Sequence, residues 1–595
     1  MAEQIVSPGV FQRETDQSFI TPAPVEVGAA IVGPTVRGPI LRPTVVSSFG
    51  DYKNKFGTTF KTGSESVEFF TSIAVQKFFA NGGNSMLVTR VGSGSFSAAT
   101  SSFISGANQA VVANHPLGGN SNIDPFVLAT LGEGEVLKNS TGINDAGAHF
   151  SDGSLLSGSA DNLRFEIDGI NNAAGTFNLS IRRGDDNTNN KIVLESFIGC
   201  SLDPNSDNYI SKLVGDQFQD TTTQEGQTFI KTKGDYPNRS KFVRIKSVDL
   251  QTPDYTLLDG SVGVDSGDTS YSASLPIAQS GSFHGATGTN IPTGEAGLYF
   301  EKIAAGNTQG IEATEDSYIT ALNILKNKDE YRFATLTTPG AYNKDYGTIT
   351  AAFIELCEGR GDCFYILDTV TYDKSLTDVT TESATLNTNF AGTYWPWVQV
   401  RSVELNRNVW VPASTIMQGV YAANDRVAAP WFAPAGLNRG GLPVIRTEYK
   451  LTQGLRDVLY DNRINPLATF PRVGPVAFGQ KTLQKKASAL DRINVRRLLI
   501  SLKNFIGDTS KNLVFEQNTT VTRNRFLNAV TPFLESVQQR QGLFAFRVVM
   551  DESNNTAEAI DRNQLVGQIF IQPTKTAEFI ILDYTIQPTG ATFND

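Results

Sequence analysis

The sequence predicts a multidomain protein of the α/β and α+β classes. Its discontinuous α/β core is made of N- and C-terminal parts, with a β-rich insertion between them and an extended arm at each end. Three observations lead to this prediction. The chain has 595 residues, too many for one ordinary domain. Helical and strand periodicities alternate towards both ends, whereas the stretch between them consists of short apolar runs separated by turn-forming residues.

These changes in pattern divide the chain into six segments. They are an N-terminal arm over 1–30, the first part of the core over 31–92, the insertion over 93–310, the core continuation over 311–480, a C-terminal α/β domain over 481–575, and a C-terminal strand or arm over 576–595.

The N-terminal arm shows no helical period and contains several prolines. Ile5, Val6, Val10 and Phe11 bracket a turn at residues 7–9, so the segment is extended. It cannot bury these apolar side chains by itself. We therefore expect either a loose tail or an arm that docks elsewhere.

The two core segments show the alternation of a βαβ arrangement. In the first, the pattern predicts strands over 29–33 and 86–91 and a helix over 65–80. In the second it predicts helices over 319–325 and 349–357 and strands over 332–336 and 364–368.

The insertion is rich in Gly, Ser, Thr, Asn and Asp. Short apolar runs in it predict strands near 126–128, 165–167, 191–194, 242–245 and 255–258.

The C-terminal part predicts two helices, over 486–506 and 521–541, and then strands over 544–550, 565–571 and 579–586. In the last strand Ile580, Leu582, Tyr584 and Ile586 share one face at period two.

Charge is distributed unevenly along the chain. The net charge is −10, which makes nucleic acid a poor partner for the whole protein, yet residues 481–547 carry 12 Lys or Arg against 4 Asp or Glu. At 100° per residue, Arg492, Arg496 and Lys503 fall on one face of the predicted 486–506 helix, and Lys485 and Lys486 lie at its start. The basic residues form either a solvated face or a contact surface for an acidic partner.

Few residues have the types and spacing that catalysis or metal binding needs. The three histidines, His115, His149 and His284, fall in loop-like stretches outside any zinc motif, and we expect them to be solvated. Residues 474–482 resemble a phosphate-binding loop, but Gln480 displaces Lys481 by one position. We therefore predict no catalytic residue, no cofactor and no metal.

The three cysteines form no C-x-x-C pair and no disulfide framework, which suits a reducing compartment. The N-terminus lacks the features of a signal peptide, and no apolar run approaches the roughly 18 residues that cross a membrane. We expect a soluble protein.

Several segments carry a family resemblance. They are residues 7–14, 33–39, 49–57 and 78–91 near the N-terminus, and 491–497, 515–518 and 542–544 near the C-terminus. Together and in this order they resemble the contractile tail sheath proteins of phages and related injection machines. The resemblance covers 1–92 and 311–595, whereas 93–310 matches no known pattern.

The resemblance implies a structural subunit that polymerises as stacked hexameric rings around a tail tube and contracts to drive the tube through the host envelope. Its partners would be its own copies, the tail tube protein, and baseplate and tail terminator proteins at the ends. Direct nucleic-acid contact and membrane insertion are not implied. The chain would assemble in the host cytoplasm and reside in the virion tail.

The resemblance also implies places for the segments. Residues 481–575 would face the tube, giving Lys485, Lys486, Arg492, Arg496 and Lys503 an acidic partner, and 93–310 would face outward. Exchanged arms would join subunits by strand addition. The residues that we expect in these arm contacts are Ile5, Val6, Val10, Phe11, Phe579, Ile580, Leu582, Tyr584 and Ile586.

Two alternatives remain open. One is another virion assembly protein, such as a baseplate or capsid component that uses similar strand exchange. The other is a nucleotide-binding enzyme that uses residues 474–482.

Overall fold

The computed structural model describes residues 27–62, 65–92, 94–106, 124–139, 158–187, 189–225, 227–255, 274–288, 315–578 and 581. Its strands are β1 (Val27–Gly33), β2 (Thr44–Val46), β3 (Thr59–Thr62), β4 (Glu65–Glu68), β5 (Met86–Arg90), β6 (Ala98–Ser101), β7 (Val127–Glu133), β8 (Leu163–Asn171), β9 (Thr176–Arg183), β10 (Val193–Ser201), β11 (Phe218–Gln224), β12 (Gln227–Lys233), β13 (Val243–Ser247), β14 (Gln279–His284), β15 (Phe333–Tyr342), β16 (Phe364–Asp368), β17 (Ala391–Trp395), β18 (Val398–Ser402), β19 (Arg407–Val411), β20 (Arg446–Thr447), β21 (Ile464–Phe470), β22 (Gly474–Ala477), β23 (Leu543–Val549) and β24 (Gln568–Pro573). Its helices are α1 (Phe49–Phe56), α2 (Phe70–Ala80), α3 (Ile210–Val214), α4 (Glu315–Leu325), α5 (Gly347–Arg360), α6 (Leu376–Thr385), α7 (Ser414–Val427), α8 (Gln453–Asp461), α9 (Ile493–Lys511), α10 (Thr520–Gln539) and α11 (Ala557–Asp561).

The largest sheet has eight strands in the order β2-β5-β1-β15-β16-β17-β21-β22. The six strands from β5 to β21 run parallel, and β2 and β22 are antiparallel edges. Buried side chains of α4 and α5 cover one face, and those of α2 and α7 cover the other. Such strands must be apolar on both sides, which explains the continuous apolar runs of β1 and β16. The predicted α/β class is confirmed.

Within this sheet β1 lies between β5 and β15, so strands from before and after the stretch 93–310 are hydrogen-bonded neighbours. The strand order of this sheet could not be predicted from the sequence, because parallel pairing depends on the crossover connections and not on the local pattern.

A second, antiparallel sheet of seven strands has the order β10-β9-β8-β14-β6-β7-β13. Its core includes Phe126, Phe165, Leu179 and Phe283. The strands predicted near 126–128, 165–167, 191–194 and 242–245 correspond to β7, β8, β10 and β13. Of the run 255–258, only Tyr255 is among the described residues, and it is buried.

His284 lies at the end of β14 and is 2% exposed, so the expectation that it is solvated is wrong. It pairs with Thr100 of β6 within the seven-stranded sheet. His115 and His149 lie outside the described residues.

Arg90 joins the two large sheets. It ends β5 with a fully buried side chain, and its Nη1 donates to the carbonyl oxygens of Gly38 at 2.7 Å and Glu133 at 2.6 Å. The carboxylate of Glu133, at the end of β7, accepts in turn from Arg42 at 2.8 Å. Burial lowers the pKa of Arg90 to about 10. The end of β7 is therefore fixed to the main sheet by charged hydrogen bonds.

The helix predicted over 65–80 is only partly correct. Residues 65–68 form β4, which pairs with β3, and the helix α2 begins at Phe70. Glu68 accepts hydrogen bonds from Ser72 at 2.7 Å and from Ser402, and these contacts hold it against β18. The conformation of residues 65–68 therefore depends on pairing with β3 and on the contact with Ser402. Neither leaves a signal in the local periodicity of the segment.

The helix predicted over 486–506 begins later, at Ile493. The Ser488 hydroxyl caps a short 3₁₀ turn over Ala489–Asp491, and Arg492 is extended with φ −115° and ψ 134°. The helix predicted over 521–541 is confirmed as α10. The predicted strands 544–550 and 565–571 correspond to β23 and β24. The strand predicted over 579–586 lies outside the described residues except for Ile581.

The elements α9, α10, β23 and β24 pack around a separate apolar cluster that includes Leu498, Leu502, Val530 and Leu534. Phe505 of α9 stacks on Phe533 of α10 with ring centroids 3.7 Å apart.

Candidate assembly interface

The basic residues at the start of α9 lie in two different settings. Lys485 and Lys486 are exposed and precede the 3₁₀ turn, so they belong to a connection rather than to the helix. Arg492 is the N-cap residue of α9. Its Nε donates to Glu578 at 2.7 Å, and its Nη1 lies 3.1 Å from Asp491. Within the chain, Arg492 therefore already has carboxylate partners.

Arg496 corrects the predicted basic face. Its side chain is only 4% exposed, and its guanidinium lies 4.0 Å from the centroid of the Phe390 ring. Burial lowers the pKa of Arg496 to about 10. The predicted face assumed helical spacing from Arg492 onwards, but Arg492 precedes the helix with an extended backbone, and Phe390, next to β17, covers Arg496. The prediction of a single exposed basic face is wrong at Arg496.

Lys503 is exposed and lines a cleft of about 630 Å³. The cleft lies at the amino ends of β1, β15 and β16, between the C-terminal part of α7 and the second half of α9. Other cationic residues that line it are Lys328, Arg332, Arg360, Arg426 and Lys511. Lys511 pairs with Asp329 at 2.7 Å, and Arg332 pairs with Asp508 at 2.6 Å. Lys503 thus contributes charge to a mixed polar cleft.

Arg497 was not singled out from the sequence, although it follows Arg496 directly. It is 4% exposed, pairs with Asp425 of α7 and lies 4.6 Å from the ring centroid of Tyr421. This contact fastens α9 to α7. Its charge and its place in the 491–497 motif do not distinguish an exposed arginine from a buried one.

Glu578 holds the segment Lys575–Glu578 against the N-terminal end of α9. It accepts hydrogen bonds from Arg492, from Gln480 Nε2 at 3.0 Å and from the Tyr460 hydroxyl at 2.8 Å. Burial alone would raise the pKa of Glu578, but these hydrogen bonds outweigh it and lower the pKa. The segment Lys575–Glu578 and the start of α9 line a cleft of about 590 Å³.

β23 and β24 form a two-stranded antiparallel sheet, and neither pairs with a third strand in the part of the chain that the structure describes. Phe544 is 74% exposed and Phe570 is 57% exposed. An isolated two-stranded sheet with exposed aromatic residues is a template for further strands.

The predicted arm contacts cannot be placed on this sheet, because all nine lie outside the described residues. They are Ile5, Val6, Val10, Phe11, Phe579, Ile580, Leu582, Tyr584 and Ile586.

The segment that resembles a phosphate-binding loop has a structural role. Residues 474–477 form β22, and Gln480 donates to Thr576 at 2.6 Å as well as to Glu578. Lys481 Nζ donates to the Tyr460 carbonyl oxygen at 2.8 Å and lies 4.2 Å from the centroid of its ring. Gln480 therefore anchors the C-terminal segment, and Lys481 is held against Tyr460 of α8.

Among the described residues, His, Cys, Asp and Glu side chains form no group of three or more that could hold a metal ion. The helices within the same ranges include none that is long and apolar enough to cross a membrane.

Comparison with known proteins identifies the C-terminal part. The family model for the phage tail sheath C-terminal domain matches residues 485–587. The tail sheath protein of Vibrio phage KVP40 is 42% identical over 189 residues, which are 32% of this chain and 28% of that protein. The tail sheath protein of Enterobacteria phage T4 is 40% identical over 189 residues, 32% of this chain and 29% of that protein. The chain therefore matches less than a third of the length of these curated relatives.

The fold is similar over almost the whole chain to the crystal structure of a sheath tail protein from Listeria innocua. The TM-score is 0.52 at 10% identity, and the match covers 93% of each chain. At this identity the likeness concerns the fold alone. Because the family model matches the segment that contains the motifs at 491–497, 515–518 and 542–544, the resemblance is confirmed there: residues 485–587 are similar to the phage tail sheath C-terminal domain.

Proposed function

We propose that this chain is a structural subunit of a contractile phage tail sheath, which polymerises as stacked hexameric rings around the tail tube and contracts to drive the tube through the host envelope. The observation that carries this proposal is the match of residues 485–587 to the tail sheath C-terminal domain, together with 42% identity to a phage tail sheath protein. The matched relatives are named tail sheath proteins, which supports a mechanical role and not an enzymatic one.

In this proposal the main sheet is the discontinuous core of the subunit. Residues 93–310 form the outer insertion, and 481–575 form the domain that faces the tube. The buried hydrogen bonds from Arg90 to Gly38 and Glu133 support movement of the seven-stranded sheet together with the core, because they would have to break for the two to separate.

The subunits would be joined by strand exchange. Residues 27–30 of the predicted arm already pair within the main sheet as part of β1. The preceding residues, 1–26, would need a foreign sheet edge for an extended backbone, and β23 and β24 offer two edges. The anchor at Glu578 sets the point from which residues 579–595 leave the domain. Tethers of this kind would keep subunits connected while rigid bodies rotate.

Contact with the tube would rely on the exposed lysines Lys485, Lys486 and Lys503. Arg492 contributes through its partly exposed guanidinium, and Arg496 supports the surface from beneath. Baseplate and terminator proteins would bind the ends of the sheath, with assembly in the host cytoplasm and final residence in the virion. Direct contact with nucleic acid and insertion into a membrane are not part of the proposal.

Negative-stain electron microscopy over a concentration series tests the assembly. The expected result is hollow tubes or stacked rings with six-fold end views. A closed shell or a single small ring at every concentration would instead favour the alternative of a capsid or baseplate component.

Deletion of residues 1–20 tests the arm. The expected product is a folded subunit, with an unchanged circular dichroism spectrum, that does not form long tubes. Tubes of normal length from this variant would show that the arm is not the tether.

Charge reversal tests the tube contact. The triple variant Lys485→Glu, Lys486→Glu and Lys503→Glu should bind the tube protein at least tenfold more weakly at low salt. Lys231→Glu, on exposed β12 of the proposed outer insertion, is the matched control and should bind normally. Equal binding by both variants would place the tube contact elsewhere.

A further inference from the structure

Two of the three cysteines lie in contact. Cys357 is in the last turn of α5, and Cys363 lies directly before β16. The thiol of Cys363 donates to Sγ of Cys357 at 3.3 Å, and both side chains are fully buried. Their separation of six positions gave no recognisable motif.

The turn between them is fixed by its own contacts. Gly361 adopts a left-handed conformation with φ 71°. Arg360 pairs with Asp362 at 2.8 Å and donates to the carbonyl oxygens of Leu325 and Tyr331. The backbone therefore holds the two cysteines at one place in the fold. A disulfide bond is about 2 Å long, so the sulfur atoms need to approach by only a little more than 1 Å.

We propose that Cys357 and Cys363 are an oxidative modification site, at which a peroxide converts the two thiols into an intramolecular disulfide. One thiolate sulfur attacks a peroxide oxygen, the O–O bond breaks, and a sulfenic acid forms with release of one water. The second sulfur then attacks the sulfenic sulfur, the S–S bond forms, and a second water leaves. In total the thiols lose two electrons and two protons, and one peroxide is reduced to two waters.

The burial of the pair explains the choice of oxidant. A small uncharged peroxide reaches a buried site far more readily than a bulky disulfide such as oxidised glutathione. Burial also raises the pKa of Cys363 well above its usual range, so little thiolate is present and the reaction is slow. The product would join the C-terminal turn of α5 to the start of a central strand of the main sheet.

Cys200 is an internal control. It is as fully buried as the pair, and burial raises its pKa to about 12. Its Sγ contacts the Phe197 carbonyl oxygen at 3.6 Å, and it lies in β10 of the other large sheet. Burial alone therefore does not distinguish Cys200 from the pair, but the neighbouring thiol does.

The test treats the full chain with hydrogen peroxide, blocks remaining thiols with iodoacetamide in denaturant, and digests without reduction. Trypsin cleaves after Arg360, so the disulfide would join peptides 345–360 and 361–374, which mass spectrometry detects as one species. The expected result is this linked species in at least tenfold excess over any linkage to Cys200, and its loss on treatment with dithiothreitol.

The same treatment of Cys363→Ser should leave no linked species. Cys357 should then be recovered as a free thiol or as a sulfenic, sulfinic or sulfonic acid. In the wild-type protein, persistence of both free thiols, conversion to sulfinic or sulfonic acids, or equal linkage to Cys200 would each overturn the proposal.

Discussion

The Nε of Arg492 donates to the carboxylate of Glu578 at 2.7 Å, although the two residues are 86 positions apart in the chain. Arg492 is the N-cap residue of α9, and Glu578 lies in the C-terminal segment that follows β24. The same carboxylate accepts from Gln480 and Tyr460. Because a single side chain collects three donors from three parts of the chain, Glu578 determines how the C-terminal segment lies against α9.

Glu578→Gln should lower the free energy of unfolding by about 1–3 kcal/mol at pH 7, the usual contribution of a hydrogen bond to a charged group. The pKa of Glu578 is lowered in the folded state, so its contribution is present above the ordinary carboxyl pKa of 4.5 and is lost as the pH falls through the lowered value. Denaturant unfolding at pH 7 and at pH 3 measures this difference. Glu558→Gln, in an exposed pair with Arg562, is the control, and an equal loss there would contradict the role of Glu578.

Two buried carboxyl groups should make the protein less stable as the pH rises from about 4 to about 7. Burial raises the pKa of Glu68 to about 7 and that of Asp368 to about 7, although serine hydroxyls partly offset the shift. A raised acid pKa means that the folded state binds the proton more tightly, so this contribution is complete below the unfolded pKa and is lost as the pH rises through the folded value.

Thermal or denaturant unfolding between pH 4 and pH 8 measures this slope. Asp368→Asn, which keeps an acceptor for Ser414, should flatten it. Asp378→Asn is the control and should leave the slope unchanged, since hydrogen bonds from Ser375 and Lys344 lower the pKa of that exposed carboxyl to about 2, below the measured range. An unchanged slope in Asp368→Asn would mean that this carboxyl does not titrate in the range.

Arg90→Met should destabilise the fold by about 3 kcal/mol or more, because it leaves the buried carbonyl oxygens of Gly38 and Glu133 without their charged donor. Equilibrium unfolding in urea measures the loss. Arg183→Met removes an exposed arginine that pairs with Asp185, and it should cost less than about 1 kcal/mol. Similar losses in both variants would show that the junction between the sheets does not depend on Arg90.

Isothermal titration should detect no binding of magnesium–ATP. Gln480 and Lys481 are occupied by Glu578, Thr576 and Tyr460, and the glycine at 474 begins a strand. The nucleotide-binding alternative requires saturable binding that Lys481→Ala abolishes. Observation of both effects would contradict the structural role that we assign to this segment.

The local elements of the core were accessible from the sequence. The strand over 364–368, the helix containing 349–357 and the helix α10 appear with nearly the predicted bounds, because a buried strand and an amphipathic helix each leave a short-range apolar pattern. The error at 65–80 arises from a contact with another segment, which a local pattern does not report. β4 exists because β3 lies beside it, and a partner strand leaves no periodic signal in the segment that it pairs with.

At the candidate interface, too, local spacing and contacts between distant segments give different information about a side chain. Helical spacing predicts one basic face for Arg492, Arg496 and Lys503, but Arg492 lies before the helix with an extended backbone, and the contact with Phe390 accompanies the burial of Arg496. Similarly, the cysteine spacing gave no indication of a contact, and the turn closed by Arg360 and Asp362 produced one.

By itself, the sequence determined the α/β class, several strands of the β-rich stretch, and the C-terminal motifs that resemble the tail sheath domain. The tertiary structure decided the strand order of the main sheet, the anchor of Glu578 on Arg492, and the burial of Arg496. The physical reason is that periodicity and composition report whether a residue is buried or exposed within its own element. Which residue covers it depends on contacts between segments that lie far apart in the chain.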